Sequence, residues 1–192
     1  MLHRHKTDPK LPLSPICLNL STRDSPNPGP LTGILVDWAG RCMRGMLDSE
    51  YVGFDAVVGA NAAGEPFADV ISRISGVPRL VYLAGERTLP CALNGSMPQT
   101  GSRVLIVDDV ITAGNSKWAT VDALRRAGFE VTDIVVLIDR EYGGVESLHE
   151  RGIHVHAVYR LSEMITWYYA KGAISKEMYD AIAEYFQLPV CI

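Results

Sequence analysis

Short apolar runs separated by small and polar residues divide this chain into alternating strand-like and helix-like stretches, the pattern of an α/β fold. Residues 33–38 read as a first strand, 56–58 as a second and 80–83 as a third. The aliphatic, β-branched run from Arg103 through Val107 suits a strand covered on both faces, as in a parallel sheet. Residues 116–127 read as a helix with an Asn or Ser cap, Arg125 and Arg126 in its last turn, and Gly128 just past its end. The next strand begins near Val131, and residues 154–159 alternate as an edge strand would. Between them, residues 59–65 form a small-residue loop leading into a helix that opens at Pro66. Residues 84–101 form a long irregular connection of the kind that serves as a lid. Ser162 and Ser175 look like caps for two closing helices, with Met164, Ile165 and Tyr168 on one and Met178, Ile182 and Tyr185 on the other.

Composition narrows the class. A chain of 192 residues with 47% hydrophobic content can bury one core, so a single domain is expected over residues 31–192. Six of the eleven prolines fall within residues 1–30, which read as a proline-rich N-terminal arm. No apolar run approaches membrane-spanning length, and the basic start is followed by prolines rather than an apolar signal core. The four cysteines are scattered without metal or disulfide spacing, which with the missing signal points to a cytoplasmic location. A net charge of −4 argues against a general nucleic-acid surface.

The candidate chemistry follows the fourth strand. Asp108 and Asp109 stand at its carboxyl end, and Thr112, Ala113, Gly114, Asn115 and Ser116 supply hydroxyls, small side chains and backbone amides where a helix begins. Such a loop favours a phosphate through unsatisfied donors and the helix dipole. The carboxylates can accept from vicinal sugar hydroxyls, or help hold Mg2+. The plain alternative is that they end a strand and cap a helix. The loop is not a P-loop, because the GxxxxGK[ST] spacing is missing. A right-handed crossover makes the fourth strand and its successor parallel, which brings Asp108, Asp109, Asp139 and Arg140 to one crevice. Arg140 beside Asp139 and Glu141 can also be read as an ordinary ion pair. His154 and His156 lie two apart on one face, but with no third ligand evident an edge-strand reading is favoured over a metal site.

From Arg103 to Glu141 the sequence resembles the type I phosphoribosyltransferase family, its orotate branch most closely. The resemblance implies the family's parallel-sheet, Rossmann-like fold and transfer of 5-phosphoribosyl from phosphoribosyl pyrophosphate to a base such as orotate. It implies catalytic Asp108 and Asp109 on the ribose, Thr112 to Ser116 around the 5-phosphate, Arg140 on the orotate carboxylate, and a homodimer. The 59–65 loop, with Ala63 and Gly64, resembles the family's pyrophosphate-binding turn, and the long connection its mobile catalytic loop. The family carries several lysines around the leaving group, whereas this chain has none between Lys10 and Lys117. Ala63 stands where lysine is common, which leaves Arg87, with Lys6 or Lys10 reaching in, to meet the pyrophosphate beside Mg2+. The alternatives are a non-catalytic nucleotide- or phosphoribosyl-pyrophosphate-binding homologue and a transferase for a different base.

Overall fold

The computed structural model describes residues 30–81 and 91–188, with the side chains of Pro30, Leu31, Thr32, Asn115 and Ser116 outside that description. The proline-rich arm and Arg87 also lie outside the described residues. A six-stranded sheet is sandwiched between helices. Its strands are β1 (Ala56–Gly59), β2 (Arg79–Val81), β3 (Cys91–Ala92), β4 (Val104–Ile111), β5 (Asp133–Asp139) and β6 (His154–Arg160), in spatial order β3-β2-β1-β4-β5-β6. All neighbouring pairs are parallel except β2 with β3.

The strands carry the sequence logic of a doubly covered sheet. Val104 and Ile106 face one layer, with Val121 and Leu124 of α3 (Asn115–Arg126) and Leu148 of α4 (Gly144–His149). Leu105 and Val107 face the other, with Ala39, Met43 and Leu47 of α1 (Pro30–Ser49) and Phe67, Ala68 and Ile71 of α2 (Glu65–Ser75). Both faces of the strand are therefore apolar, as the continuous hydrophobic run requires. A separate apolar cluster joins α5 (Leu161–Ala170) to α6 (Lys176–Phe186) through Leu161, Ile165, Tyr179, Ile182 and Phe186.

Several expectations are corrected. Residues 33–38 are not a strand but part of α1. The buried positions Ala39, Met43 and Leu47, with half-buried Val36, recur at helical spacing, and that longer period outweighs the local β-branched run. Gly40 lets α1 approach α2, since a Cβ there would fall 2.6 Å from the Val70 side chain. Part of the 84–101 connection is ordered as β3, which pairs Leu80 with Ala92. β4 continues through the two aspartates to Ile111 instead of stopping before them. Helix α3 starts at Asn115 with Gly114 as its cap, at φ 76°, so a glycine rather than a side chain ends the loop. Ser175 caps α6 by accepting from the Met178 amide, but Ser162 lies inside α5 and bonds Glu141 instead. Only Ile165 and Ile182 of the six positions assigned to the closing helices are buried, joined there by Tyr179 and Phe186.

Candidate functional site

The sheet order reverses direction between β1 and β4, and the carboxyl ends of these strands flank the crevice where ligands of open α/β sheets bind. From β1, the turn at 61–64 enters this crevice. Asn61 Oδ1 accepts from the Ala63 amide at 2.7 Å and from the Gly64 amide at 3.3 Å, an Asx-type turn. Gly64 packs directly on β4: a Cβ there would sit 2.3 Å from the Val107 carbonyl oxygen. Glycine at position 64 is thus required by the approach of two backbones. Thr120 of α3 closes the same corner by donating to the Ala60 carbonyl.

From β4 come the two aspartates, in different environments. Asp108 is fully buried. Its carboxylate accepts from Asn61 Nδ2 at 3.0 and 3.2 Å and from the Asp109 amide at 2.9 Å, and it forms an ion pair with Lys117 of α3. Lys117 Nζ also donates to the Val110 carbonyl at 2.9 Å. Removing either partner of such a pair leaves an uncompensated buried charge, at a cost of about 3–5 kcal/mol. Asp109 is half-buried and accepts from the Val110 amide at 2.8 Å. Burial, and then the neighbouring Asp108 carboxylate, push Asp109 up to about 7, against the opposing pull of the Val110 amide and the Lys117 ammonium.

The two carboxylates are thus divided by environment: Asp108 is buried against Asn61, the Asp109 amide and Lys117, while Asp109 is half-buried and accepts from the Val110 amide. Among the described residues no group of three or more His, Cys, Asp or Glu is placed to hold a metal ion. Mg2+ keeps several waters and takes one or two carboxylates together with substrate phosphates, so the site fits an ion carried in by its ligand and touched by Asp109.

The phosphate loop follows. Thr112 and Ala113 are half-buried and Gly114 is buried at the start of α3, where the helix N-terminus favours an anion. The loop is held from below by the β5–α4 turn: Gly144 lies so close that a Cβ on it would meet the Thr112 carbonyl oxygen at 1.9 Å. The backbone of Asn115 and Ser116 forms the first turn of α3.

Arg140 follows β5, where Asp139 pairs with Ile111 and the Arg140 amide donates to the Ile111 carbonyl at 3.1 Å. The arginine is therefore one strand across from the phosphate loop, as the crossover predicts. Its guanidinium lies over the Phe186 ring, 4.7 Å from the centroid. Beside it, the Asp139 carboxylate accepts from the Glu141 amide at 2.7 Å, and burial raises its pKa. Glu141, at φ 54°, turns back to accept from the amide and hydroxyl of Ser162, fixing α5 beside the crevice. His156 on the edge strand bonds Glu50 and Asp133.

Asn61 and Lys117 are the residues the sequence reading missed. For Lys117 a signal existed: a lysine in the first turn of a helix opposes the dipole and calls for an acidic partner.

Residues 48–155 match the phosphoribosyl transferase domain. The chain is similar to uridine 5'-monophosphate synthase of Bos taurus, 31% identical over 142 residues that make up 71% of this chain and 28% of that protein. It is also similar to orotate phosphoribosyltransferase of Sulfolobus acidocaldarius, 28% identical over 173 residues, covering 90% of this chain and 84% of that one. Among solved structures, orotate phosphoribosyltransferase of Mycobacterium tuberculosis in complex with 5-phospho-alpha-D-ribosyl 1-diphosphate superposes with a TM-score of 0.56 at 25% identity, over 67% of this chain and 75% of that one.

Proposed function

Because the chain belongs to the phosphoribosyl transferase domain family, we propose that it transfers the 5-phosphoribosyl group of phosphoribosyl pyrophosphate to orotate, forming orotidine 5'-phosphate in pyrimidine nucleotide synthesis. The observation that carries the reading is the juxtaposition, on adjacent parallel strands, of Asp109, the Thr112–Gly114 loop and Arg140. In this reading the loop and the α3 N-terminus bind the 5-phosphate, Asp109 accepts from the ribose hydroxyls, and Arg140 faces the orotate carboxylate. The turn at Ala63 and Gly64 borders the pyrophosphate by its close approach, the two amides being held by the Asn61 side chain. The bond from the ribose anomeric carbon to the pyrophosphate oxygen breaks as the base nitrogen attacks, so positive charge grows on the sugar and negative charge on the leaving group. Bound Mg2+ would offset the negative charge on pyrophosphate. Arg87 is the residue assigned to the same leaving group from the 84–101 connection.

The proposal extends to a homodimer in the cytoplasm, with the catalytic body in residues 31–192 and the arm in 1–30. No helix among the described residues is long and apolar enough to cross a membrane.

A second reading is favoured by one specific observation: the lysine closest in sequence to the phosphate loop, Lys117, is turned inward to Asp108, and Ala63 offers no cation to the pyrophosphate. A site so depleted can bind phosphoribosyl pyrophosphate or a nucleotide without transfer, or serve another base. Orotate consumption followed by ultraviolet absorbance, with phosphoribosyl pyrophosphate and Mg2+, separates these readings when run beside calorimetric binding. Turnover supports transfer; binding without orotate loss supports the second reading.

A further inference from the structure

Lys117 is 5% exposed and sits in the first turn of α3, where desolvation and the helix dipole both oppose an ammonium group. It is held there by two acceptors from β4, the Asp108 carboxylate and the Val110 carbonyl. Around this pair, β4 also supplies Asp109, and the turn after β1 supplies the neutral amide of Asn61. The lysine therefore faces two carboxylates and no competing cation among the described residues at this corner. Its amide also bonds the Gly114 carbonyl, so one residue ties the phosphate loop to the strand end.

We infer that Lys117 is an internal counter-ion that draws Asp108 away from the ligand and leaves Asp109 as the carboxylate presented to the sugar. It is a positioning residue, acting through Asp108 and the loop rather than by touching substrate, and the inference rests on the phosphoribosyl reading of this site. Without the ammonium, Asp108 would add an uncompensated negative charge behind a loop that must accept a phosphate. The same contact to Val110 sets the backbone two residues before Thr112.

The test uses calorimetric titration of the full chain with phosphoribosyl pyrophosphate at fixed Mg2+, and with ribose 5-phosphate alone. An uncompensated carboxylate behind the phosphate loop repels the bound anion, an effect on the order of tenfold in affinity. Lys117→Met should therefore weaken binding by roughly that factor, and adding Asp108→Asn to it, which neutralises the remaining charge, should recover most of the loss. Asp108→Asn by itself should lose about tenfold less than Asp109→Asn. Equal losses for the two asparagine variants, or no rescue in the double variant, would overturn the inference. Each of Lys117→Met and Asp108→Asn leaves one buried charge unpaired. Should either fail to fold, the double variant, which removes both charges, is compared with Asp109→Asn: a smaller loss of affinity in the double variant supports the inference and equal losses overturn it. If the wild-type chain binds neither ligand, the phosphoribosyl reading itself fails. The counter-ion is then read from thermal unfolding: a double variant more stable than Lys117→Met supports the pair, and strict additivity removes it.

Discussion

Arg140 stacks on Phe186, its guanidinium carbon 4.7 Å from the ring centroid, so the last turn of α6 braces the arginine assigned to the acceptor. Tyr142 meets the same ring edge-on at 6.4 Å, and Phe186 is buried in the α5–α6 cluster. A cation–π contact of this kind contributes about 0.5–2 kcal/mol. Phe186→Leu keeps most of the apolar volume but removes the stack. It should raise the acceptor's KM by roughly two- to thirtyfold while leaving phosphoribosyl pyrophosphate affinity in place. Steady-state kinetics varying each substrate separately checks this; a change confined to kcat would break the link between α6 and the acceptor.

Direct removal of the arginine is the stricter case. Arg140→Ala deletes a charge-assisted contact to the acceptor carboxylate, and such contacts are worth about 1.5–3 kcal/mol. The expected result is an orotate KM raised by roughly ten- to a hundredfold. An uncharged base analogue, lacking the carboxylate, should show little difference between Arg140→Ala and wild type. Equal penalties for both bases would mean the arginine is structural.

A different cluster governs pH behaviour. His156 on β6 bonds Glu50, just past α1, and Asp133 at the start of β5, with Nε2 2.8 Å from Asp133 Oδ1. Burial disfavours the imidazolium, but the two carboxylates outweigh it and raise the His156 pKa above its ordinary 6.5. The same bond lowers Asp133. A raised folded-state pKa means this contribution to stability is fully present below about pH 6.5 and is lost as pH rises through the folded value. Asp109, raised to about 7 from 3.8, changes stability in the same direction over a lower and wider window. Denaturant unfolding at pH 6, 7 and 8 should therefore show wild type losing stability with rising pH. His156→Gln should lose less over the same interval; parallel curves would exclude the cluster.

How far the sequence alone reached can be traced through these residues. β4 and the loop after it were legible because four consecutive aliphatic positions, Val104 to Val107, and a small-residue turn leave few alternatives. The position of Arg140 followed from crossover handedness alone. Helix α1 was misread because Ile34, Leu35 and Val36 look like a strand locally; the deciding period, Ala39 to Met43 to Leu47, runs through polar neighbours. The partition of the acidic pair was invisible for another reason. Asp108 is paired with a lysine nine residues on and an asparagine 47 residues back, and such contacts exist only once α3 and the β1 turn have docked on β4.

Two adjacent glycines give the last prediction. Gly143, the cap of α4, has φ 75° and open space where a Cβ would go, while Gly144 has a Cβ position 1.9 Å from the Thr112 carbonyl oxygen and 2.9 Å from the Ile111 side chain. Gly143→Ala thus meets only backbone strain, about 1–2 kcal/mol for a left-handed conformation. It should lower stability by that order and leave ribose 5-phosphate binding intact. Gly144→Ala must push the phosphate loop away from its support, since neither a carbonyl nor a β4 residue can yield as a flexible side chain would. A displacement near 1 Å in a positioned site costs on the order of a hundredfold in rate, and the loop's hold on the phosphate weakens with it. Calorimetry with ribose 5-phosphate on both variants, beside their unfolding curves, separates the effects. Loss of binding in Gly144→Ala but not in Gly143→Ala would tie the loop's geometry to the β5–α4 turn; loss in both would place the fault in α4 as a whole.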